Sequence, residues 1–203
     1  MVSKTRDKLL EVARNLFMVK GVEHTTMNDI ATASERGRRT IYTYFKSKRE
    51  IYQAVVERES ELVISRLREV VQSSVPPEEK LRSYLTIRFG ILTQTQTKSR
   101  QRPDRYITGL FTRDTRRGDR IYQLALSKEA DMFESLLRSG IDCGAFRADQ
   151  AMRLPTLLNH TIISASASSP TQLTIEDQER IHRQLIDFIV DGILTDTNPK
   201  IQQ

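Results

Sequence analysis

The stretch ASERGRRTIYTYF, Ala33 to Phe45, carries arginines at 36, 38 and 39, hydroxyls at Thr40, Tyr42, Thr43 and Tyr44, and is followed by Lys48. A guanidinium is a planar fork that matches guanine O6 and N7, whereas hydroxyls and an ammonium suit phosphate oxygens. At about 100° per residue on a helix, Ile41 and Phe45 share one direction and Arg39 and Thr43 point the opposite way. One face therefore anchors such a helix and the other is free to touch something. Thr40 and Tyr42 flank the outward face, and Arg38 projects from the first turn. Arginines on the opening turn of a short helix, preceded by another helix and a tight turn, are placed to meet base edges in the DNA major groove.

Several elements must hold that helix in place. A first helix is predicted from about Thr5 to Lys20, with Leu9, Ala13, Leu16 and Phe17 at three- and four-residue spacing and Gly21 as a left-handed stop. Thr26 and Asp29 form a capping box that opens a second helix through Ile30, Ala31 and Ala33. The third helix covers about Arg38 to Phe45. Ser47 and Glu50 form a second box, from which a long fourth helix runs to about Gln72. In SSVPPEEKL, Pro77 suits the first turn of a fifth helix, and Glu78 and Glu79 complement its dipole. The polar TQTQTKSRQRPDR reads as a surface connection. Further helices are expected at about 103–112, 117–139, 149–166 and 174–194. No run of alternating β-branched residues occurs, so the chain is read as all-α.

Charge and composition narrow the function classes. The net charge is +6, and residues 1–50 hold 11 basic against 6 acidic residues while the rest is nearly balanced at 21 against 20. Such asymmetry points to nucleic acid or an anionic surface near the N-terminus. No apolar run approaches the roughly 20 residues of a membrane span, and the N-terminus lacks an apolar leader, so a cytoplasmic location and no membrane partner are expected. The one cysteine, Cys143, excludes an intrachain disulfide and reads as a buried or incidental thiol. Spacings for paired carboxylates, a metal cluster or a nucleophile with its base are absent, so no catalytic residue, metal or cofactor is assigned.

The run TTMNDIATASERGRRTIYTYFKSKREIYQAV resembles the DNA-binding domain of the TetR (tetracycline-repressor-like) transcriptional regulators. The pattern covers about residues 5–56. Phe17 and Gly21 close the first helix, Thr26 precedes Ile30 and Ala31, residues 40–42 and 44–45 form the third helix, and Ser47 and Lys48 open the fourth. The set expected to contact DNA is Thr26, Arg36, Arg38, Arg39, Thr40, Tyr42, Thr43, Tyr44 and Lys48. One departure stands in the turn, where the family usually has Ala-Gly-Val-Ser and this chain has Ser34, Glu35, Arg36 and Gly37. Glu35 replaces the glycine that tolerates a left-handed backbone, and Gly37 is expected to absorb the unusual dihedral instead. Arg36 either joins the DNA contacts or lays its stem on the core.

The resemblance implies a helix-turn-helix domain at residues 1–46 and a helical ligand-binding and dimerisation domain at 47–203. It further implies a homodimer on a palindromic double-stranded operator, and a small-molecule effector, with repression favoured over activation. Control by a protein partner and sequence-tolerant architectural binding are the alternatives. Within the second domain Tyr84, Phe89, Tyr106, Phe111, Met132 and Phe133 are pocket candidates, though core packing explains any one of them at least as well. The last two helices carry apolar faces wider than one core needs, and Leu158, Ile162, Ile181, Leu185, Phe188 and Ile189 are assigned to a dimer interface. His160 and His182 fall on those helices, where packing is commoner than metal ligation.

Overall fold

The computed structural model of the protein describes residues 2–96, 120–158 and 174–195. The helices are α1 (Val2–Lys20), α2 (Met27–Ala33), α3 (Arg38–Tyr44), α4 (Lys48–Gln72), α5 (Pro77–Gln96), α6 (Arg120–Asp142), α7 (Ala148–Ala151) and α8 (Ile175–Ile193). Residues 154–158 are also helical. Among the described residues there is no strand, and one isolated antiparallel bridge joins Phe146 to Leu194. The chain is all-α. Two compact units divide it, one containing residues 2–63 and 120–125, the other 64–96, 126–158 and 174–195.

The first unit is built on one apolar cluster. Leu9, Leu10, Ala13 and Phe17 of α1 meet Ile30 and Ala31 of α2, Ile41 of α3, Phe45, and Ile51 and Val55 of α4, all buried. The expected boundary at 46/47 falls at the start of α4, and this core draws on the helix beyond it because Ile51 and Val55 close it. Arg14 of α1 pairs with Glu59 of α4 at 3.1 Å, the carboxylate almost fully buried. Gly21, at φ +86°, ends α1. The glycine is needed there because a side chain in the left-handed region strains against its own backbone.

The capping box opens α2. Thr26 Oγ1 accepts from the Asp29 backbone N–H at 3.1 Å, and Asp29 accepts from the Thr26 N–H at 2.9 Å. Those bonds to Thr26, with Lys20 at 3.1 Å, hold the Asp29 carboxyl below its usual range. A lowered folded-state value adds stability that is present above the unfolded carboxylate range and lost as the pH falls through the folded one. The wild-type protein is therefore expected to melt above Asp29→Asn at pH 7, and the gap to close below about pH 4. Thermal melts of both proteins across pH 2–7 check this; a gap that persists at pH 2 contradicts it.

The turn between α2 and α3 corrects an expectation. Glu35 N–H donates to the Thr32 carbonyl at 3.1 Å and Arg36 N–H to that of Ala31 at 3.0 Å. This is the paired ending of a Schellman motif, which needs its left-handed residue one place after the helix cap. Ser34 is that cap, so the strain falls on Glu35, at φ +56°. Gly37 does not absorb it: at φ −65° and ψ 147° it is the extended N-cap of α3. A left-handed non-glycine residue costs about 1–2 kcal/mol. Glu35→Gly is expected to raise the melting temperature by about 2–4 °C; an unchanged or lower value contradicts the assignment of strain.

In the second unit α8 packs along α5 and against α7. Leu81 and Leu85 of α5, Leu136 and Leu137 of α6, and Ile186 and Val190 of α8 are buried. Arg82 of α5 ties down α8, pairing with Asp187 and, at 3.3 Å, with Asp191. Gly140 lets α6 receive Phe146, whose ring would lie 2.1 Å from a Cβ at that position. One continuous helix was expected at 149–166. The structure interrupts it at Met152 and Arg153. Pro155 has no N–H to donate to the Ala151 carbonyl and suits the first turn of a new helix, so the chain re-starts there.

Candidate nucleic-acid interface

The third helix is only seven residues long, too short to be stable alone. It forms because Ile41 and Phe45, 1% and 2% exposed, are set into the core of the first unit. The Gly37 carbonyl accepts from the Thr40 N–H at 2.9 Å, starting the helix, and the Phe45 N–H closes it on the Ile41 carbonyl at 2.9 Å. With one face fixed, the opposite face is turned out. Arg36, Arg38, Arg39 and Thr43 are exposed, and Tyr42 is 47% exposed.

None of the three arginines makes an ion pair or side-chain hydrogen bond among the described residues. The nearest acid in sequence, Glu35, is drawn to Lys8 of α1 at 3.6 Å. Three guanidiniums thus share one end of a short helix with no carboxylate to neutralise them. Thr43 Oγ1 is turned back onto the Arg39 carbonyl at 3.1 Å, which leaves its lone pairs rather than its proton for a partner. Thr26 has its hydroxyl engaged with Asp29 at the start of α2. Thr40 is half-buried, and Tyr44 is half-buried against the core.

Lys48, expected to contact DNA, has partners within the first unit. Its ammonium donates to the backbone carbonyls of Val22, at 2.8 Å, and Glu23, at 3.2 Å, in the turn between α1 and α2. Lysine at the head of a helix reads equally as a phosphate ligand or a tether, and the carbonyls it reaches lie 26 and 25 residues back. No local signal in the sequence disclosed that destination.

In the second unit, Tyr84 stacks on Phe133 with ring centroids 4.7 Å apart. Both are buried, as is Phe89, which faces His182 at 5.2 Å, and Met132 is half-buried. Tyr106 and Phe111 lie outside the described residues. An ion pair missed at the sequence level sits beside the aromatic pair: Arg88 of α5 reaches Glu129 of α6 at 2.5 Å, both side chains largely buried. Burial pushes the Glu129 carboxyl above its usual range despite the guanidinium. Arg88 and Glu129 are far apart in sequence, and only their helical spacing from Tyr84 and Phe133 hinted at the cluster.

On α8, Ile186, Val190 and Ile193 face inward. Ile181, Leu185 and Phe188 form a separate stripe, with Phe188 78% exposed and Leu185 half-buried. Ile189 is half-buried, and Ile162 and His160 lie outside the described residues. Leu158, assigned to an interface, is buried within its own unit. Cys143 is exposed rather than buried, its thiol against the Gly140 carbonyl. Among the described residues no cluster of His, Cys, Asp or Glu is arranged to hold a metal, and no helix is long and apolar enough to cross a membrane.

A short helix anchored by two buried residues, turned outward with unpaired arginines and preceded by a capped helix and tight turn, defines a helix-turn-helix DNA-binding protein. The family model described as bacterial regulatory proteins, tetR family, matches residues 9–55, which span this cluster and the whole of α3. Over those residues the chain matches that family's DNA-binding domain. It is 24% identical over 146 residues to the HTH-type transcriptional repressor KstR2 of Mycolicibacterium smegmatis, covering 71% of this chain and 68% of that one. It is 46% identical over 48 residues to the HTH-type transcriptional regulator TcmR of Streptomyces glaucescens, covering 24% of this chain and 21% of that one. Among solved structures, a transcriptional regulator from Saccharomonospora viridis in complex with choline aligns over 95% of this chain and 99% of its own. Its TM-score is 0.73 at 22% identity. The ketosteroid transcriptional regulator KstR2 of Mycobacterium tuberculosis aligns over 94% and 95%, with a TM-score of 0.62 at 21% identity. These solved structures share the fold, and the family model matches the stretch that carries α2 and α3.

Proposed function

We propose that the protein is a homodimeric transcriptional repressor that reads a palindromic operator through α3 and is released by a small molecule bound in its second unit. The observation that carries this reading is the outward face of α3, where Arg36, Arg38 and Arg39 have no acidic partner among the described residues and Ile41 and Phe45 fix the helix from behind. Arg38 and Arg39 address base edges. Thr26, Arg36, Thr40, Tyr42, Thr43 and Tyr44 supply contacts to the backbone beside them. The apolar stripe Ile181, Leu185 and Phe188 on α8, with Ile189 beside it, supports a two-fold interface, since one exposed face can serve both subunits. The Tyr84–Phe133 stack beside the buried Arg88–Glu129 pair, with Phe89 and Met132 on the same two helices, supports an effector site with an apolar body and a polar end.

Selection of bound fragments from random and genomic duplex DNA at two salt concentrations tests the reading. The expected result is an enriched palindrome with half-sites about one helical turn or more apart, roughly 34–36 Å or beyond, bound more weakly at the higher salt. Uniform retention of all sequences would contradict it.

A further inference from the structure

We infer that Lys48 is a positioning residue that aims α3 by closing the first unit on itself, rather than a ligand to phosphate. The inference rests on the reading of α3 as the DNA-contacting helix. Lys48 is the first residue of α4, separated from the end of α3 by Phe45, Lys46 and Ser47. Its ammonium lies 2.8 Å from the Val22 carbonyl and 3.2 Å from that of Glu23, immediately before the Thr26 cap of α2. One group thereby joins the end of α1, the start of α2 and the link from α3 to α4.

Physical reasons favour a tether. The Val22 carbonyl already accepts the Thr25 N–H at 3.3 Å, and the Gly21 carbonyl is taken by Thr25 Oγ1 at 2.8 Å. The Lys48 ammonium thus adds a cationic donor to the remaining lone pair of the Val22 carbonyl and to the Glu23 carbonyl. A charged donor makes a stronger bond than a neutral one, here to the half-buried Val22 carbonyl and the exposed Glu23 carbonyl. The neighbouring α4 start needs no help from Lys48: Glu50 N–H donates to Ser47 Oγ at 3.2 Å, and Lys46 N–H to Glu50 at 2.6 Å. Because α3 is so short, the direction of its outward face follows from how its two ends are held. Gly37 holds one end by backbone alone, with no side-chain cap, and the Lys48 tether lies at the other.

The test compares wild type, Lys48→Met and Lys48→Gln. The amide of Gln keeps an N–H donor without the charge. Melting is followed without DNA, and affinity is titrated against salt at a temperature well below melting. The probe is the fragment that wild type enriches most from a random duplex library. For Lys48→Met the expected results are a melting temperature lower by about 4–8 °C and affinity about tenfold weaker with an unchanged salt slope. Lys48→Gln is expected to fall between. A slope shallower by about 2, one phosphate lost per subunit of a dimer, with unchanged melting would overturn the inference. Lower melting with full affinity would overturn it too, leaving a support that does not aim α3. Wild type that enriches no fragment would sink the DNA reading itself, and is seen separately from the DNA-free melting shift.

Discussion

Replacing Arg39 by alanine is expected to weaken operator binding by about 1–3 kcal/mol per half-site, roughly 5- to 150-fold, and to relax base preference at one position of each half-site. Arg39 lies opposite Ile41 and Phe45 on α3, and those two are 1% and 2% exposed, so the guanidinium is carried outward by a helix that cannot roll. Among the described residues nothing competes for it, and a carboxylate that could have done so, Glu35, is directed to Lys8. The substitution removes no buried atom. Melting without DNA should stay within about 0.5 kcal/mol of wild type, the usual limit for exposed positions. Selection with the variant reads the outcome: loss of preference at one position identifies a base contact. An affinity loss equal for all sequences would reassign Arg39 to phosphate.

The second large effect is expected from Phe188→Arg. Phe188 is 78% exposed on α8, beside Ile181 at 41%. In an isologous interface each such residue is buried twice, at about 1.5–3 kcal/mol per side chain. A guanidinium facing its own symmetry mate replaces that gain by repulsion. The variant should sediment as a monomer near 23.4 kDa and lose at least about 100-fold in operator affinity, because two linked heads bind far more tightly than independent ones. Helical content by circular dichroism should hold, since the side chain contributes little to its own unit. Leu185→Arg is less clean, because Leu185 is half-buried and its loss also disturbs the monomer. An intact dimer of Phe188→Arg would place the interface elsewhere.

How far the sequence spoke depended on whether a feature was local. Gly21, the Thr26–Asp29 box, and the opposed faces of α3 are set by spacings of three or four residues, and the structure shows each of them. The left-handed residue was misplaced on Gly37 because composition suggests that a glycine takes the strain. Position is instead fixed by the two bonds that end α2, and these count one residue past Ser34 whatever residue stands there. The break within 149–166 comes from Pro155, whose missing N–H leaves the Ala151 carbonyl without a helical donor. Lys48 and the Arg88–Glu129 pair were beyond reach for a different reason: their partners lie 25 to 41 residues away, and only the packed helices bring them together. The stripe on α8 was legible as excess apolar surface, whereas Leu158 was not separable from it until burial was known.

The central claim is that the outward face of α3 lies in the major groove. Methylation protection with dimethyl sulfate tests it most directly, because the reagent reaches guanine N7 in the major groove and adenine N3 in the minor groove. On a fragment enriched by the wild-type protein, the account predicts guanine N7 protection in two symmetric patches, one guanine in each losing protection in Arg39→Ala. Unprotected guanines with protected adenine N3 would contradict it, placing the protein in the other groove.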